Sequence, residues 1–395
     1  MRPPVLAAVT AAAAVLGGVA GVVLADQAGL VGGETTVSAV APAVTTAAPP
    51  TESPTTATAP TGFDPAAIYA DRSPGVVTIY ADLGPDGQSQ GSGFVVDAAG
   101  TILTNAHVIT NVASSTDVRG AGAVFVEYAD GDRVPATIVG WDLFSDVGVI
   151  TVDPADHAVQ PVPLGDSAAV VVGQSVAAIG SPFGNQTSLA VGVVSATGRS
   201  IASLTSRYAV SDAIQIDAPI NRGNSGGPLF DGAGRVIGIN AQIRSDSGTA
   251  EGVGFAIPIN VAKRALDQLV ASGKVSYAYI GITSQDVTPG LAKRFGLGAE
   301  RGALVVAVED DAPAARAGIR AGTQSETFRG LRVTLGGDVI VAIDGRPVRS
   351  SEDVSRIVTD DLRPGQTVPF AVLRDGDRKV TVRVTLAERP LRPSS

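Results

Sequence analysis

Cysteine is absent from this 395-residue chain, histidine occurs twice, methionine and tryptophan once each, and aromatic side chains make up 4%. Without cysteine there are no disulfides, no zinc thiolate sites and no thiol nucleophile, so packed cores must hold the folded parts. Positive charge is also short. Lysine and arginine number 29 against 38 acidic residues, a net charge of −9, and nucleic acid, which calls for a basic stripe, is excluded as a partner. What is plentiful is glycine (47) and proline (25), a composition that suits many short strands joined by turns. The length allows two or three domains.

Charge is missing altogether from residues 5–25, which are rich in Ala, Val and Gly and lie between Arg2 and Asp26. This reads as an export segment over 1–32, either a membrane anchor with a cytoplasmic N-terminus or a cleaved signal peptide. The run is long enough to cross a bilayer, which takes about 20 apolar residues, while Val23-Leu24-Ala25 offers a small-residue cleavage site. In both cases the remainder is extracytoplasmic. Residues 33–62 are Thr, Ala, Pro and Ser with few large apolar side chains and form a disordered tether. Short apolar runs then recur at 76–80, 93–96, 101–104, 124–128 and 147–152. A second set follows at 175–179, 190–196, 214–216, 236–243 and 254–257. Two such sets predict two β-barrels or sandwiches, divided near 153–163, within a domain spanning 63–273. Asn260 reads as the cap of a helix ended by Gly273. Residues 274–390 form a further strand-rich unit with one short helix near 351–359.

Gly223-Asn224-Ser225-Gly226-Gly227 sets one serine among residues that let the backbone bend sharply and let a substrate approach closely. A hydroxyl needs a base and an orienting acid. The G-x-S-x-G pattern also fits the α/β-hydrolase elbow, which takes its histidine after the serine; none follows Ser225. The order histidine, acid, serine remains, as in the two-barrel serine peptidases. His107 follows a strand-like run and is the candidate base; His157, in a turn-rich stretch, reads as an ordinary surface residue. Asp146, just before an apolar run, is the candidate acid. Asp142 is its nearest competitor, with a strand-entry turn as its plain reading. An Asp-His-Ser arrangement of the subtilisin type would need an α/β fold, and helical segments are scarce. The amides of Gly223 and Ser225 are placed to face a developing oxyanion.

Gly91-Ser92-Gly93-Phe94, Thr104-Asn105-Ala106-His107-Val108, Ser145-Asp146, Gly180-Ser181-Pro182-Phe183-Gly184, Asn221 to Leu229 and Gly254-Phe255-Ala256-Ile257-Pro258 together resemble the HtrA (Deg) serine proteases. The resemblance implies a mainly β fold, a chymotrypsin-like double barrel followed by a PDZ domain. It also implies a triad of His107, Asp146 and Ser225, with no metal or cofactor. Asn224 stands where pancreatic-type peptidases carry an aspartate for a newly freed N-terminus, so activation by clipping is not expected. Pro219 and Ile220 would line an uncharged primary specificity pocket favouring small or medium aliphatic side chains.

In the C-terminal unit, Tyr279-Ile280-Gly281-Ile282 and its following motifs resemble a PDZ domain. Amides of Ile280, Gly281 and Ile282 would hold a peptide's C-terminal carboxylate, and Val354 and Ile357 would line the groove's other wall. Residues 323–337 depart from the pattern as an inserted loop. The resemblance further implies loops 181–189, 199–212 and 243–252 that order on a signal, and a homotrimer with Phe63 and Tyr69 as candidate contacts. The substrates implied are misfolded or signal-bearing proteins of the bacterial envelope. The rival reading is a chaperone or PDZ-type binding protein with minor proteolysis.

Overall fold

The computed structural model describes residues 62–112, 117–181, 187–203, 205, 206, 208–221, 223–241 and 253–391. The export segment, all but the last residue of the tether, Pro182-Phe183-Gly184, Arg222 and the 243–252 loop lie outside the described residues. The described chain opens with helix α1 (Pro65–Arg72), whose first amides, those of Ala66 and Ala67, bond to the Asp64 carboxylate. Strands β1 (Val76–Asp82), β2 (Gln88–Val95) and β3 (Thr101–Thr104) follow. A single helical turn α2 (Ala106–Ile109) leads to β4 (Ala123–Glu127), β5 (Arg133–Asp142) and β6 (Val147–Thr151). These six strands close a barrel in the order β1-β2-β3-β6-β5-β4, filled by Val77, Ile79, Val95, Ile102, Val126 and Ile150. β5 carries Arg133, Pro135 and Thr137 on its first half, so no apolar run betrays it.

The second barrel contains β7 (Ser175–Gly180), β8 (Ser188–Ala202), β9 (Ala209–Ile216), β10 (Pro228–Phe230), β11 (Val236–Ala241) and β12 (Gly254–Pro258), closed in the order β10-β11-β12-β9-β8-β7. One apolar cluster joins the barrels: Phe94, Leu103 and Val147 of the first meet Ile179, Phe230 and Ile239 of the second. Helix α3 (Ile259–Ser272) covers the same seam with Ala262, Ala265 and Leu269 and stops at Gly273, whose φ is 70°. Asn260 does not cap it. Pro258 is still paired with Gly238 in the sheet and is itself the cap position, so the chain turns into helix without a spare residue. Asn260 lies in the first turn, its side-chain amide donating to Asp166 Oδ1 at 2.7 Å.

The C-terminal unit runs β13 (Ala278–Tyr279), β14 (Ile282–Val287), α4 (Pro289–Phe295), β15 (Gly302–Val308) and α5 (Pro313–Ala317). After these come β16 (Gln324–Phe328), β17 (Leu331–Leu335), β18 (Val339–Ile343), β19 (Arg346–Pro347) and α6 (Ser351–Arg356), which continues as a π-helical turn over Ile357–Asp361. It ends with β20 (Thr367–Arg374), β21 (Arg378–Thr385) and β22 (Ala387–Glu388). Its sheet has the order β14-β15-β18-β20-β21, with β19 beside β18. The stretch expected to be an inserted loop is a hairpin, β16 paired to β17. Val333 and Leu335 pack against Leu291, Leu304 and Val339, so the insertion brings its own small core. Val354 and Ile357, expected along a groove wall, are 4% and 0% exposed and belong to the main core of the unit. Helix α6 packs against β14 and β15 and also against β9 of the second barrel.

Candidate active site

Sheet register brings the first two residues together. Thr104 at the end of β3 pairs with Gly148 at the start of β6, so the segments just outside the ladder, 105–107 and 145–146, meet at one rim of the first barrel. The Asp146 carbonyl accepts from Asn105 Nδ2 at 2.9 Å and from the Ala106 amide at 3.1 Å. Asp146 itself has a φ of 57°, a left-handed conformation that aspartate tolerates better than most residues and that two clamped hydrogen bonds hold in place.

Both oxygens of the Asp146 carboxylate address His107. Oδ2 is 2.7 Å from Nδ1, and Oδ1 accepts from the His107 amide at 3.0 Å. Both side chains are largely buried, 15% and 6% exposed, where such a contact is screened little. Burial pulls the imidazole pKa down; the charge and hydrogen bond of Asp146 outweigh it and leave it above the ordinary histidine value. With Nδ1 engaged, Nε2 is the nitrogen left to exchange a proton. Asp142, the competitor, lies elsewhere. It is fully buried at the end of β5 and accepts from the Phe144 amide and from the hydroxyls of Ser145 and Tyr277. His157 is not an ordinary surface residue either. Its ring stacks on Tyr128 with centroids 3.8 Å apart, and Nε2 lies 3.0 Å from Asp130 Oδ2, because the inter-barrel segment folds back over the β4–β5 turn.

Ser225 stands in the loop between β9 and β10, on the second barrel. It is 4% exposed, and its hydroxyl has no hydrogen-bond partner among the described residues. The loop is tightly built: Gly223 and Gly226 have φ of 99° and 85°, and a Cβ on Gly226 would come within 2.2 Å of the Ser92 carbonyl. The Asn224 amide donates to Asn221 O at 3.0 Å, Gly226 to Asn240 O at 2.9 Å and Gly227 to Asn224 O at 3.0 Å. Asn240 is completely buried and returns its own amide to Gly227 O at 2.8 Å. Sequence reasoning passed over Asn240, although it is the one polar side chain in the run Val236-Ile237-Gly238-Ile239-Asn240-Ala241. Ile220 is buried in the core of the second barrel with Ile216 and Ala218, and Pro219 is exposed beside it. Phe63 and Tyr69 pack partly against the chain's own inter-barrel core, and the Tyr69 hydroxyl donates to Thr187 O at 2.7 Å. Among the described residues no group of three or more His, Asp or Glu side chains could hold a metal ion, and no helix is long and apolar enough to cross a membrane.

In the C-terminal unit Gly281 has a φ of 72°, and a Cβ there would fall 2.2 Å from Ala312 Cβ. The carbonyls of Ile280 and Gly281 accept from Ala314 and Glu309, each at 2.9 Å. With both carbonyls turned into the fold, the amides of Gly281 and Ile282, on the far side of the same peptide planes, point the other way.

Residues 91–239 match the trypsin-like peptidase domain family and residues 278–386 the PDZ domain family. A probable periplasmic serine endoprotease, DegP-like, of Pseudomonas fluorescens is 41% identical over 305 residues, 77% of this chain and 57% of that protein. Protease Do-like 1, chloroplastic, of Arabidopsis thaliana is 40% identical over 306 residues, 77% of this chain and 64% of that protein. The chain thus spans somewhat over half the length of the curated relatives it matches. Among solved structures, the HtrA-type protease AlgW with a tripeptide superposes with a TM-score of 0.68 at 34% identity, covering 83% of this chain and 98% of that one. Sequence and fold agree along nearly the whole length of that neighbour, and on this agreement the chain belongs to the HtrA-type proteases, with a trypsin-like double barrel followed by a PDZ domain.

Proposed function

We propose that the protein is a serine endopeptidase in which Ser225 is the nucleophile, His107 the general base and then acid, and Asp146 the residue that holds His107. The observation that carries this is the two-point grip of Asp146 on His107, on the ring at 2.7 Å and on the amide at 3.0 Å. A carboxylate so placed fixes the tautomer that leaves Nε2 free to accept a proton and stabilises the imidazolium that forms. Ser225 Oγ attacks the peptide carbonyl as its proton passes to His107 Nε2. The amides of Gly223 and Ser225 face the oxyanion of the tetrahedral intermediate. His107 then returns the proton to the leaving amine, and water attacks the acyl-enzyme by the same route. In this reading the Ser225 hydroxyl, which bonds to no described residue, hydrogen-bonds to His107 Nε2 as substrate seats, as is common for catalytic hydrogen bonds. Casein cleavage by the wild-type protein and its loss, by a factor on the order of 10⁴ or more, in Ser225→Ala tests the assignment; residual cleavage at the wild-type rate would overturn it.

The substrates in this reading are unfolded or signal-bearing proteins outside the cytoplasm, as suits relatives named periplasmic, with the export segment 1–32 as leader or tether and a trimer as the assembly. The C-terminal unit takes C-terminal peptides on Ile280, Gly281 and Ile282; the HtrA-type neighbour was solved with a tripeptide. A holdase activity through the same unit would persist in Ser225→Ala, and aggregation assays on that variant measure it separately. Uncharged Pro219 and Ile220 favour cleavage after aliphatic residues, since neither side chain offers a counter-charge to Lys or Arg. A peptide library cut mainly after basic residues would refute that specificity.

A further inference from the structure

Every polar atom of Ser92 is committed, and two of its four bonds go to the loop that carries Ser225. Ser92 lies on β2, completely buried. Its hydroxyl donates to Gly223 O at 2.6 Å and accepts from the Ser181 amide at 2.9 Å. Its own amide donates to Ser225 O at 2.8 Å, and its carbonyl accepts from Thr104 Oγ1 at 2.6 Å. A residue of the first barrel thus bonds three times to the second. The surroundings are shaped to admit it. Cβ atoms on Gly180, Gly226 and Gly227 would lie 3.1 Å from Ser92 Oγ, 2.2 Å from its carbonyl oxygen and 3.2 Å from its Cβ.

We propose that Ser92 is a positioning residue for the oxyanion site: it locks the peptide planes on either side of Asn224 and Ser225 so that the Ser225 amide has one orientation. The plane of Gly223 and Asn224 is held at its oxygen by the Ser92 hydroxyl and at its nitrogen by Asn221 O at 3.0 Å. The plane of Ser225 and Gly226 is held at its oxygen by the Ser92 amide and at its nitrogen by Asn240 O at 2.9 Å. The plane between them carries the Ser225 N–H and is held at its own oxygen by the Gly227 amide at 3.0 Å, between neighbours that are themselves anchored. Preorganised donors of this kind cost no reorganisation as charge develops, which is where their catalytic value lies. The Ser92 hydroxyl touches no reacting atom; it acts through Gly223. The same hydroxyl holds Ser181, so the chain leaving β7 is fixed in register with the oxyanion loop.

This inference rests on Ser225 being the nucleophile, and the test separates the two. In Ser92→Ala, kcat should fall roughly tenfold, less than the 10²–10³ lost with a whole oxyanion donor, while KM changes by less than about twofold. The affinity of a peptide boronate, which forms a tetrahedral adduct at a serine, should fall by the same factor as kcat/KM, since both report transition-state complementarity. The acidic limb of the pH–rate profile should stay in place, because Ser92 makes no bond to His107 or Asp146. Wild-type kcat and boronate affinity, or a fall accompanied by a shifted pH limb, would overturn the proposal. Should Ser92→Ala fail to fold, Ser92→Cys keeps the side chain's reach with a weaker donor. A smaller loss of kcat and boronate affinity at unchanged KM supports the role, and wild-type values refute it. If Ser225→Ala still cleaves, the nucleophile assignment fails whatever Ser92 does; if Ser225→Ala is inert and Ser92→Ala is wild type, only the Ser92 inference fails.

Discussion

At the scale of single residues, a general base at His107, as proposed, makes activity depend on pH. Its burial and its bond to Asp146 pull in opposite directions, and Asp146 prevails, so the imidazole holds its proton to a higher pH than a free histidine with pKa about 6.5. A base must be neutral to act, so kcat/KM should decline as pH falls through a value above about 6.5. Initial rates on a fluorogenic peptide across pH 5 to 9 check this; a rate that stays flat on acidification would exclude His107 as base. Asp146→Asn should keep the geometry yet lose most of kcat, by a factor on the order of 10⁴ as in other triads, because the amide cannot stabilise the imidazolium. The pairing of His107 with Asp146 was legible in the sequence because two histidines left few choices and because Asp146 precedes an apolar run. Ser92 and Asn240 were not. A buried serine inside a Gly-Ser-Gly strand looks like any small residue, and its role emerges only when the second barrel closes against it.

At the scale of elements, the end of β5 and the linker ahead of β13 are joined by a buried polar contact. The Tyr277 hydroxyl donates to Asp142 Oδ2 at 2.5 Å, with Phe144 and Ser145 as further donors. Burial pushes the Asp142 carboxyl above the usual range, and its donors only partly offset this. A carboxyl whose pKa is raised in the folded state stabilises the fold at low pH. That contribution disappears as pH rises from the unfolded value, about 3.9, through the folded one. Asp142→Asn should therefore flatten the stability curve over that window, whereas Tyr277→Phe, which strips a donor from a buried acceptor, should cost about 1–3 kcal/mol at neutral pH. Denaturant melts at several pH values distinguish the two. Sequence periodicity found most of the barrel strands and missed β5, whose polar half gives no signal, and β10, whose three residues are too few to show a period. It also could not distinguish a long loop from the hairpin β16–β17, since Thr327, Phe328 and Arg329 look alike in either. What decides for the hairpin is Val333 and Leu335 finding partners in α4 and β15, a tertiary fact.

At the scale of the whole described molecule, the C-terminal unit stands on the turn that carries Asp146. Arg389, just after β22, sets its guanidinium 5.1 Å from the Tyr208 ring centroid and 5.5 Å from those of Phe144 and Tyr277, and donates to Thr359 at 2.9 Å. Arg264 of α3 bonds to Asp360 at 2.7 Å across the same seam. Phe144 is two residues from Asp146, and Tyr208 lies in the stretch expected to order on a signal. A peptide seated on Ile280, Gly281 and Ile282, as proposed, would act on β14, which packs beside α6, and α6 in turn rests on β9. A binding event at the turn therefore has a contiguous packed route to both Phe144 and Tyr208. If that route transmits, a saturating hydrophobic C-terminal peptide should change hydrogen exchange at 143–147 and 199–212 by about fivefold or more, the lower end of typical coupling energies. Arg389→Ala, which removes the cation from between the three rings, should shrink that difference while leaving peptide affinity intact. Equal protection with and without peptide would mean that the seam is only a support and that the two parts respond independently.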